Sequence, residues 1–516
     1  MTAASMEQNV LSDGRVELKP EVDAALGGAL HNGDLSPVPM AKRTWTTYNY
    51  LALWIGMAIN IPTWLLASGL ITLGMAWYQA LFTIFLANVL VLIPMLAISH
   101  AGTKYGVPYP VIARASFGTY GANLPALIRA IVACFWFGIQ TWIGGTALFA
   151  VVGALLKTLT GGNDGWVNAA AVGGHPWTAW LSFAIFWALN MIIVVWGMEA
   201  IKKFENWAAP FLIIVFLGLM AVMVYQAGGL GPVVQDPGKL GWGPDFWKIF
   251  PISLMGMIAF WSTLSLNMPD FTRFGRSQGD QVRGQVLGLP TTMTLFPLVG
   301  VLTTSATVIV YGKAIWDPVE LTGKLDNPIA LLIMLAALAL ATLTTNVAAN
   351  VVSPSYDFSN LWPRMISFRT GGIITGIIGI IIQPWNLLAD PHQYIWTWLG
   401  TYGGATGPIA GVLMADYWWI RRNNLKLADL YKTNGVYQYV KGWNWIAVVS
   451  LLVGILFAIG GAYSATDGDP FPAAGIIPIL KPLYDYSWVV GLVVAFVLYG
   501  GLTLTVGKKA VAAQLD

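Results

Sequence analysis

The segment Leu53-Trp-Ile-Gly-Met-Ala-Ile-Asn-Ile-Pro-Thr63 decides the fold. It lies in an apolar run of membrane-spanning length, residues 46–71, yet carries Gly56, Asn60 and Pro62 at mid-depth. Pro62 has no backbone N–H to give, and its ring crowds the preceding turn. Gly56 tolerates backbone geometry that other residues avoid. Carbonyls freed at that depth in a bilayer need protein, water or an ion as partner. A second stretch, Ala259-Phe-Trp-Ser-Thr-Leu-Ser-Leu-Asn-Met-Pro-Asp270, combines a polar cluster with Pro269 in the same way. The two stretches fall in the first and sixth apolar runs. Breaks at corresponding places in two five-helix halves point to an inverted-repeat transporter with its site near the membrane midplane. A plain proline kink explains either break alone; the spacing of the pair favours the repeat. The halves share no obvious identity, so the repeat is inferred from helix spacing only.

Outward from these breaks, apolar stretches follow one another to the end of the chain. They cover 46–71, 77–99, 124–156, 177–198, 207–228, 249–269, 286–312, 327–352, 371–389, 393–415, 443–463 and 486–506. Each approaches or exceeds the roughly 20 apolar residues that span a bilayer. The third is longer than a span needs and is expected to tilt or to begin in the interface. The reading is an all-α membrane protein of twelve transmembrane helices. Composition agrees: 56% of residues are hydrophobic and only 10% charged, whereas soluble domains carry about 25% charged residues. Residues 1–43 read as a flexible cytosolic tail, 44–420 as a ten-helix transporter core, and 421–516 as a cytosolic loop, helices 11 and 12 and a short tail.

Charge sets the orientation. With the amino terminus inside, the opposite face holds only Lys157, Lys239, Lys248, Lys313, Lys324 and Lys481 among the basic residues of the loops. The remainder, from Arg15 and Lys19 to Lys508 and Lys509, gather inside. This positive-inside bias calls for an even helix count, both termini cytoplasmic, and a multi-pass cell (inner) membrane protein. One cysteine, Cys134, excludes a disulfide framework, and the four histidines show no metal-ligand spacing. No cofactor and no nucleic-acid partner is called for; the partners expected are a small substrate, a coupling cation and lipid.

Polar groups at membrane depth nominate the site. In Phe135-Trp-Phe-Gly-Ile-Gln-Thr-Trp142, Trp136 and Gln140 stand at i and i+4 and share a helix face. An indole beside a primary amide suits a flat ring with an amide edge; stacking a base on an aromatic ring contributes about 1–3 kcal/mol. Helix packing for Trp136 and a backbone bond for Gln140 is the structural alternative. In Ala341-Thr-Leu-Thr-Thr-Asn-Val-Ala-Ala-Asn350, Thr344, Thr345, Asn346 and Asn350 crowd one stretch, and Ala348 and Ala349 permit close helix approach. Hydroxyl and carbonyl oxygens there suit a hard monovalent cation such as Na+; polar contacts between helices are the alternative. Glu199, Glu205, Asp270, Asp357 and Asp416 fall near helix ends beside basic residues, which reads as interfacial pairing, with Asp270 and Arg273 placed to form an inner latch. With no fixed charge at mid-span, a neutral substrate is expected. Buried catalytic clusters of His, Asp or Glu in register are not found, so the chain does not read as an enzyme. A passive small-solute channel is the rival class, and it predicts flux indifferent to ion gradients.

Several motifs now resemble those of the nucleobase–cation symporter-1 family, notably its bacterial uracil, allantoin and hydantoin permeases. They are Asn267-Met-Pro-Asp-Phe-Thr-Arg-Phe274, Thr344-Thr-Asn-Val-Ala-Ala-Asn-Val-Val-Ser-Pro354 and the Trp136 segment. His100-Ala-Gly-Thr-Lys-Tyr-Gly106, Arg114-Ala-Ser-Phe-Gly118 and Gly407-Pro-Ile-Ala-Gly411 join them. The resemblance runs from about Arg43 onward. It implies a leucine-transporter-type fold, two inverted five-helix repeats plus two C-terminal helices, and symport of a nucleobase or related ring with Na+ or H+. It implies that Trp136 and Trp261 sandwich the ring while Gln140 and Asn350 bond its edge, with Asn346 one turn from Asn350. Asn60 and Phe260 match ring-side positions where the hydantoin member has Gln and Gly, so a bulkier pocket floor is expected. Gly56, Ile59, Ala341, Thr344 and Thr345 match its sodium site, with both hydroxyls favouring Na+ over H+. Tyr402, in the run Gly400-Thr-Tyr-Gly-Gly-Ala-Thr-Gly407, is the expected outer gate. A uracil-like pyrimidine is the first choice of substrate, allantoin or a hydantoin the second.

Overall fold

The computed structural model describes residues 7–325, 327–387, 399–462 and 475–507. The first span opens with the Thr46 N–H bonded to the Asn49 side chain at 2.8 Å, which starts α1 (Thr47–Ala58). At Ile59 ψ reaches 93° and the helix stops. Asn60 then caps α2 (Ile61–Thr72), its side-chain oxygen accepting the Thr63 N–H at 2.9 Å. Pro62 occupies the first turn of α2, where a missing N–H leaves no bond unmade. The two halves meet at 60°.

Long helices follow: α3 (Trp77–Tyr105), the short α4 (Tyr109–Phe117), α5 (Asn123–Leu159), α6 (Trp177–Trp196) and α7 (Met198–Ala227). The 37 residues of α5 reach about 55 Å at 1.5 Å per residue, well beyond a hydrocarbon core of about 30 Å. The sixth span is divided into α8 (Pro244–Ser262), α9 (Leu264–Asn267) and α10 (Pro269–Thr272) and bends by 41°. Beyond it come α11 (Gln278–Tyr311), α12 (Pro328–Asn350) running on into α13 (Val352–Leu361), and α14 (Phe368–Ile381). Then follow α15 (Leu399–Met414), α16 (Trp445–Ile459) and α17 (Ser487–Thr505).

Among the described residues, seven helices are long and apolar enough to cross a membrane, or nine spans if each bent pair is one. The other three expected positions hold α14, α15 and α16, of 14, 16 and 15 residues, all apolar but shorter. The ninth and tenth expected stretches run into residues 388–398, outside the described set. The helix α1 packs on α7, α11 and α12, and α5 packs on α6, α12, α13 and α14. The last pair, α16 and α17, packs on itself and on α15, as helices appended to a finished bundle should.

Residues 7–43 correct the expectation of a flexible tail. Gln8–Val10 and Val16–Leu18 form an antiparallel pair, β1 and β2, and Val16 and Leu35 are buried. Arg43 donates to the carbonyls of Val16, Val38 and Tyr105. Arg273 donates to those of Asp34 and Ser36. Gln8 bonds the backbone of Leu425 and Leu427. A segment too rich in Gly, Asp and Pro for a long helix is held because its carbonyls satisfy buried guanidinium groups, which must be paired.

Candidate functional site

Four elements converge where the spans break. One side of α5 presents Trp136 and Gln140; α8 presents Phe260 and Trp261; the joint after α8 adds Thr263 and Leu264; α12 adds Thr345, Ala349 and Asn350. Together they line a cavity of about 20 Å3, room for roughly one water. The expected bulk of Phe260 is visible: its ring stands edge-on to Trp136 at 5.4 Å and to Trp261 at 5.1 Å. Trp261 also leans edge-on against Trp54 at 5.4 Å.

Polar atoms at this cavity fall into two groups. The side-chain oxygen of Gln140 and the indole N–H of Trp261 are buried and have no hydrogen-bond partner among the described residues. Such atoms are costly to bury unmatched, so they are the groups a ligand would satisfy. By contrast Asn346 is engaged between helices, donating to Thr141 Oγ1 at 3.0 Å and to the Phe137 carbonyl at 3.3 Å. Its oxygen accepts from Asn350 Nδ2 at 3.0 Å, which orients Asn350 toward the cavity. Asn60 lies outside the lining: its amide donates to the Met57 carbonyl and its oxygen caps α2. Both ends of that side chain serve the break itself.

Hydrogen bonds tie the surrounding helices together on two sides of the cavity. On the side away from the amino-terminal segment, Trp136 Nε1 donates to the Tyr402 hydroxyl at 3.1 Å. That hydroxyl in turn donates to the Ala259 carbonyl at 2.9 Å, so one residue of α15 ties α5 to α8. On the other side, buried Arg129 donates to Asn267 Oδ1 and to the Ala349 carbonyl, each at 2.9 Å. Arg129, counted among the basic residues of the inner face, is a fully buried tie across the bundle.

Next to the ring cavity, α12 meets the end of α1. Thr344 Oγ1 donates to the Gly56 carbonyl at 2.9 Å, and Thr345 Oγ1 lies 2.9 Å from the Met57 carbonyl and 3.2 Å from that of Gly56. The Ala341 carbonyl lies 2.9 and 3.0 Å from the two hydroxyls. Four of the five expected cation-site residues therefore come together. Met57 stands in their hydrogen-bond network, whereas Ile59 does not and belongs to the apolar cluster that includes Trp64 and Leu212. A break displaces carbonyls from their helical partners over more than one residue, and the sequence alone does not say which of them turn toward α12.

The acidic residues depart from interfacial pairing. Asp416 does pair with Arg421 at 2.8 Å and accepts from Ser116 and Tyr499. Asp270 does not latch to Arg273: it accepts from Ser353 and from the Tyr109 N–H. Arg273 turns instead to the amino-terminal segment and packs over the Phe274 and Tyr356 rings. Glu205 and Asp357 are buried with both carboxyl oxygens unpartnered among the described residues.

A bundle broken in its first and sixth spans, with a small aromatic cavity beside a cluster of hydroxyl and carbonyl oxygens, has the form of a membrane transporter. The family profile described as permease for cytosine/purines, uracil, thiamine, allantoin matches residues 37–491, and the chain belongs to this nucleobase–cation symporter-1 family. It is 41% identical over 479 residues to an allantoin permease of Bacillus subtilis, covering 91% of this chain and 92% of that one. It is 38% identical over 484 residues to a purine-uracil permease of Arabidopsis thaliana, covering 93% and 79%. Its fold is similar to that of a family transporter solved closed with bromovinylhydantoin bound, with TM-score 0.75, 24% identity, and 95% and 100% of the two chains covered. The chain is thus a multi-span membrane transporter of the leucine-transporter type.

Proposed function

We propose that this chain imports a small neutral ring bearing a ureide or imide edge, together with a monovalent cation, across the cell (inner) membrane with both termini cytoplasmic. The cavity that joins Trp136, Trp261, Gln140 and Asn350 carries this reading, because its unmatched Gln140 oxygen awaits a ring N–H. An analogue lacking that edge leaves buried amides unpaired, which hydrogen-bonding sites reject strongly. The uracil-like first choice of the sequence now stands beside allantoin, which the 41% identity to an allantoin permease supports.

The geometry supports a closed state. Tyr402 forms the outer gate and the Arg129 ties form the inner one, and the ring site is too small to hold a substrate until α15 or α8 moves. The Gly56, Met57, Thr344 and Thr345 oxygens favour Na+ over H+ as the coupling ion. One positive charge moving inward supplies about 2.3 kcal/mol per 100 mV. Radiolabelled uptake of uracil, allantoin and hydantoin, with Na+ replaced by choline and separately with a protonophore, tests the reading. Saturable uptake that falls under one of the two treatments is expected. Uptake that ignores both, or that does not saturate, contradicts coupled transport and favours a channel.

A further inference from the structure

We propose that Glu205 is a ligand of the coupling cation, bringing the fixed negative charge of the site from α7; this rests on the reading of the α1–α12 junction as the cation site. In the site implied by the family resemblance, every donor is a neutral oxygen. Here a carboxylate from a third helix joins them.

Three observations place it there. First, α7 packs on both α1 and α12, so a side chain on its inner face reaches the seam between them. Second, Glu205 fills the volume that Gly56 leaves vacant. A Cβ on Gly56 would overlap Glu205 Oε2, and the same point lies 3.6 Å from Thr344 Cβ. The carboxylate therefore abuts the residue whose carbonyl already faces Thr344 and Thr345, and a side chain at position 56 would displace it from there. Third, Glu205 is 1% exposed, and neither oxygen has a hydrogen-bond or ion-pair partner among the described residues. Of the two neighbouring lysines on its own helix, Lys202 donates to Thr44 at 3.2 Å and Lys203 is exposed.

A carboxylate buried without a counter-charge is strongly unfavourable, and an ionisable group within a spanning helix marks a functional site by default. Its partner is identified by what surrounds it. Carboxylate, carbonyl and hydroxyl oxygens form an all-oxygen, hard donor set, the kind that prefers hard cations. One carboxylate balances one charge, so a monovalent cation leaves the occupied site neutral, whereas a divalent ion would leave a net charge buried. The cation class is therefore Na+ or an ion close to it. Its binding draws α7, α1 and α12 together, which gives the ion a direct hold on the first-span break.

The experiment uses the purified full chain and follows Na+ at constant ionic strength, with choline as replacement. Two readouts are taken: tryptophan quenching by allantoin or uracil as Na+ is varied, and the Na+-dependent rise in melting temperature without substrate. The half-saturating Na+ concentration is expected to rise at least tenfold in Glu205→Gln and by a smaller factor in Glu205→Asp. The Na+-dependent melting shift should be lost in Glu205→Gln. A half-saturation unchanged from the parent in both variants overturns the proposal, as does a parent chain that shows no Na+ effect in either readout. Should Glu205→Gln fail to fold, Glu205→Asp carries the decision. If neither allantoin nor uracil quenches the parent, the proposed substrate fails, yet the melting shift still decides the role of Glu205.

Discussion

The two broken spans are built differently. At the first, the backbone leaves the helical region at Ile59 and Asn60, the halves diverge by 60°, and the Gly56 and Met57 carbonyls receive hydroxyls from a different helix. At the sixth, Thr263 and Met268 keep right-handed helical dihedrals, the bend is 41°, and the Ser262 and Ser265 hydroxyls donate back to their own chain. Ser262 donates to the Ala259 carbonyl and Ser265 to that of Ser262. The first break is thus an unwinding that turns backbone oxygens toward α12, where the proposed function places the cation. The second is a kink that aims Phe260 and Trp261 at the ring cavity. One device presents backbone atoms, the other side chains.

This contrast predicts unequal sensitivity to small changes. The largest effect is expected for Gly56→Ala, because the added methyl overlaps the Glu205 carboxylate. Overpacking of this kind costs about 1–3 kcal/mol, and the carboxylate has to swing away from the Gly56 face to admit the methyl. Na+-stimulated uptake should be abolished and the melting temperature should fall; full stimulation would place the ion away from the first break. Next comes Thr345→Ala, which removes a hydroxyl shared between α1 carbonyls. A hydrogen-bond partner of a charged group contributes about 1.5–3 kcal/mol, so the Na+ needed for half-maximal uptake should rise roughly tenfold or more. If Na+ stimulation persists unchanged in that variant, the ion lies elsewhere or is H+.

On the side-chain half of the contrast, Trp136→Phe keeps an aromatic face but loses the bond to Tyr402. A net hydrogen bond is worth about 1 kcal/mol, so substrate affinity measured by competition uptake should weaken roughly fivefold. The smallest effect is expected for Ser265→Ala in the second break. Its hydroxyl only returns to the preceding turn, and the loss of stability should stay at about 1 kcal/mol or less, with transport retained. A collapse of transport in Ser265→Ala would show that the second break also works through its backbone.

Much of this arrangement was legible in the sequence because it depends on local order. Gly, Asn and Pro within an apolar run mark a break wherever the chain goes, and helical spacing alone places Trp136 and Gln140 on one face. The matching of Thr344 and Thr345 with Gly56 followed from the family resemblance. What was not legible depends on tertiary contact. Glu205 stands beside Lys202 and Lys203, so it looks interfacial until α7 is seen against α1. The sequence carried no signal for it: Glu205 precedes the fifth expected run, 207–228, and only the structure starts α7 at Met198. Asn60 looks ring-facing by alignment, yet the bend needs a cap and takes its side chain. Residues 7–43 lack periodicity, and their order comes from Arg43, Arg273 and the loop around Leu425, which only the fold brings within reach.

The central claim is that substrate binds in the slot oriented by Asn350, and substrate binding by Asn350→Ala tests it most directly. Radiolabelled allantoin and uracil should bind the parent chain saturably, and the variant should show no saturable binding while melting as a folded protein. Parental affinity in Asn350→Ala would contradict the site.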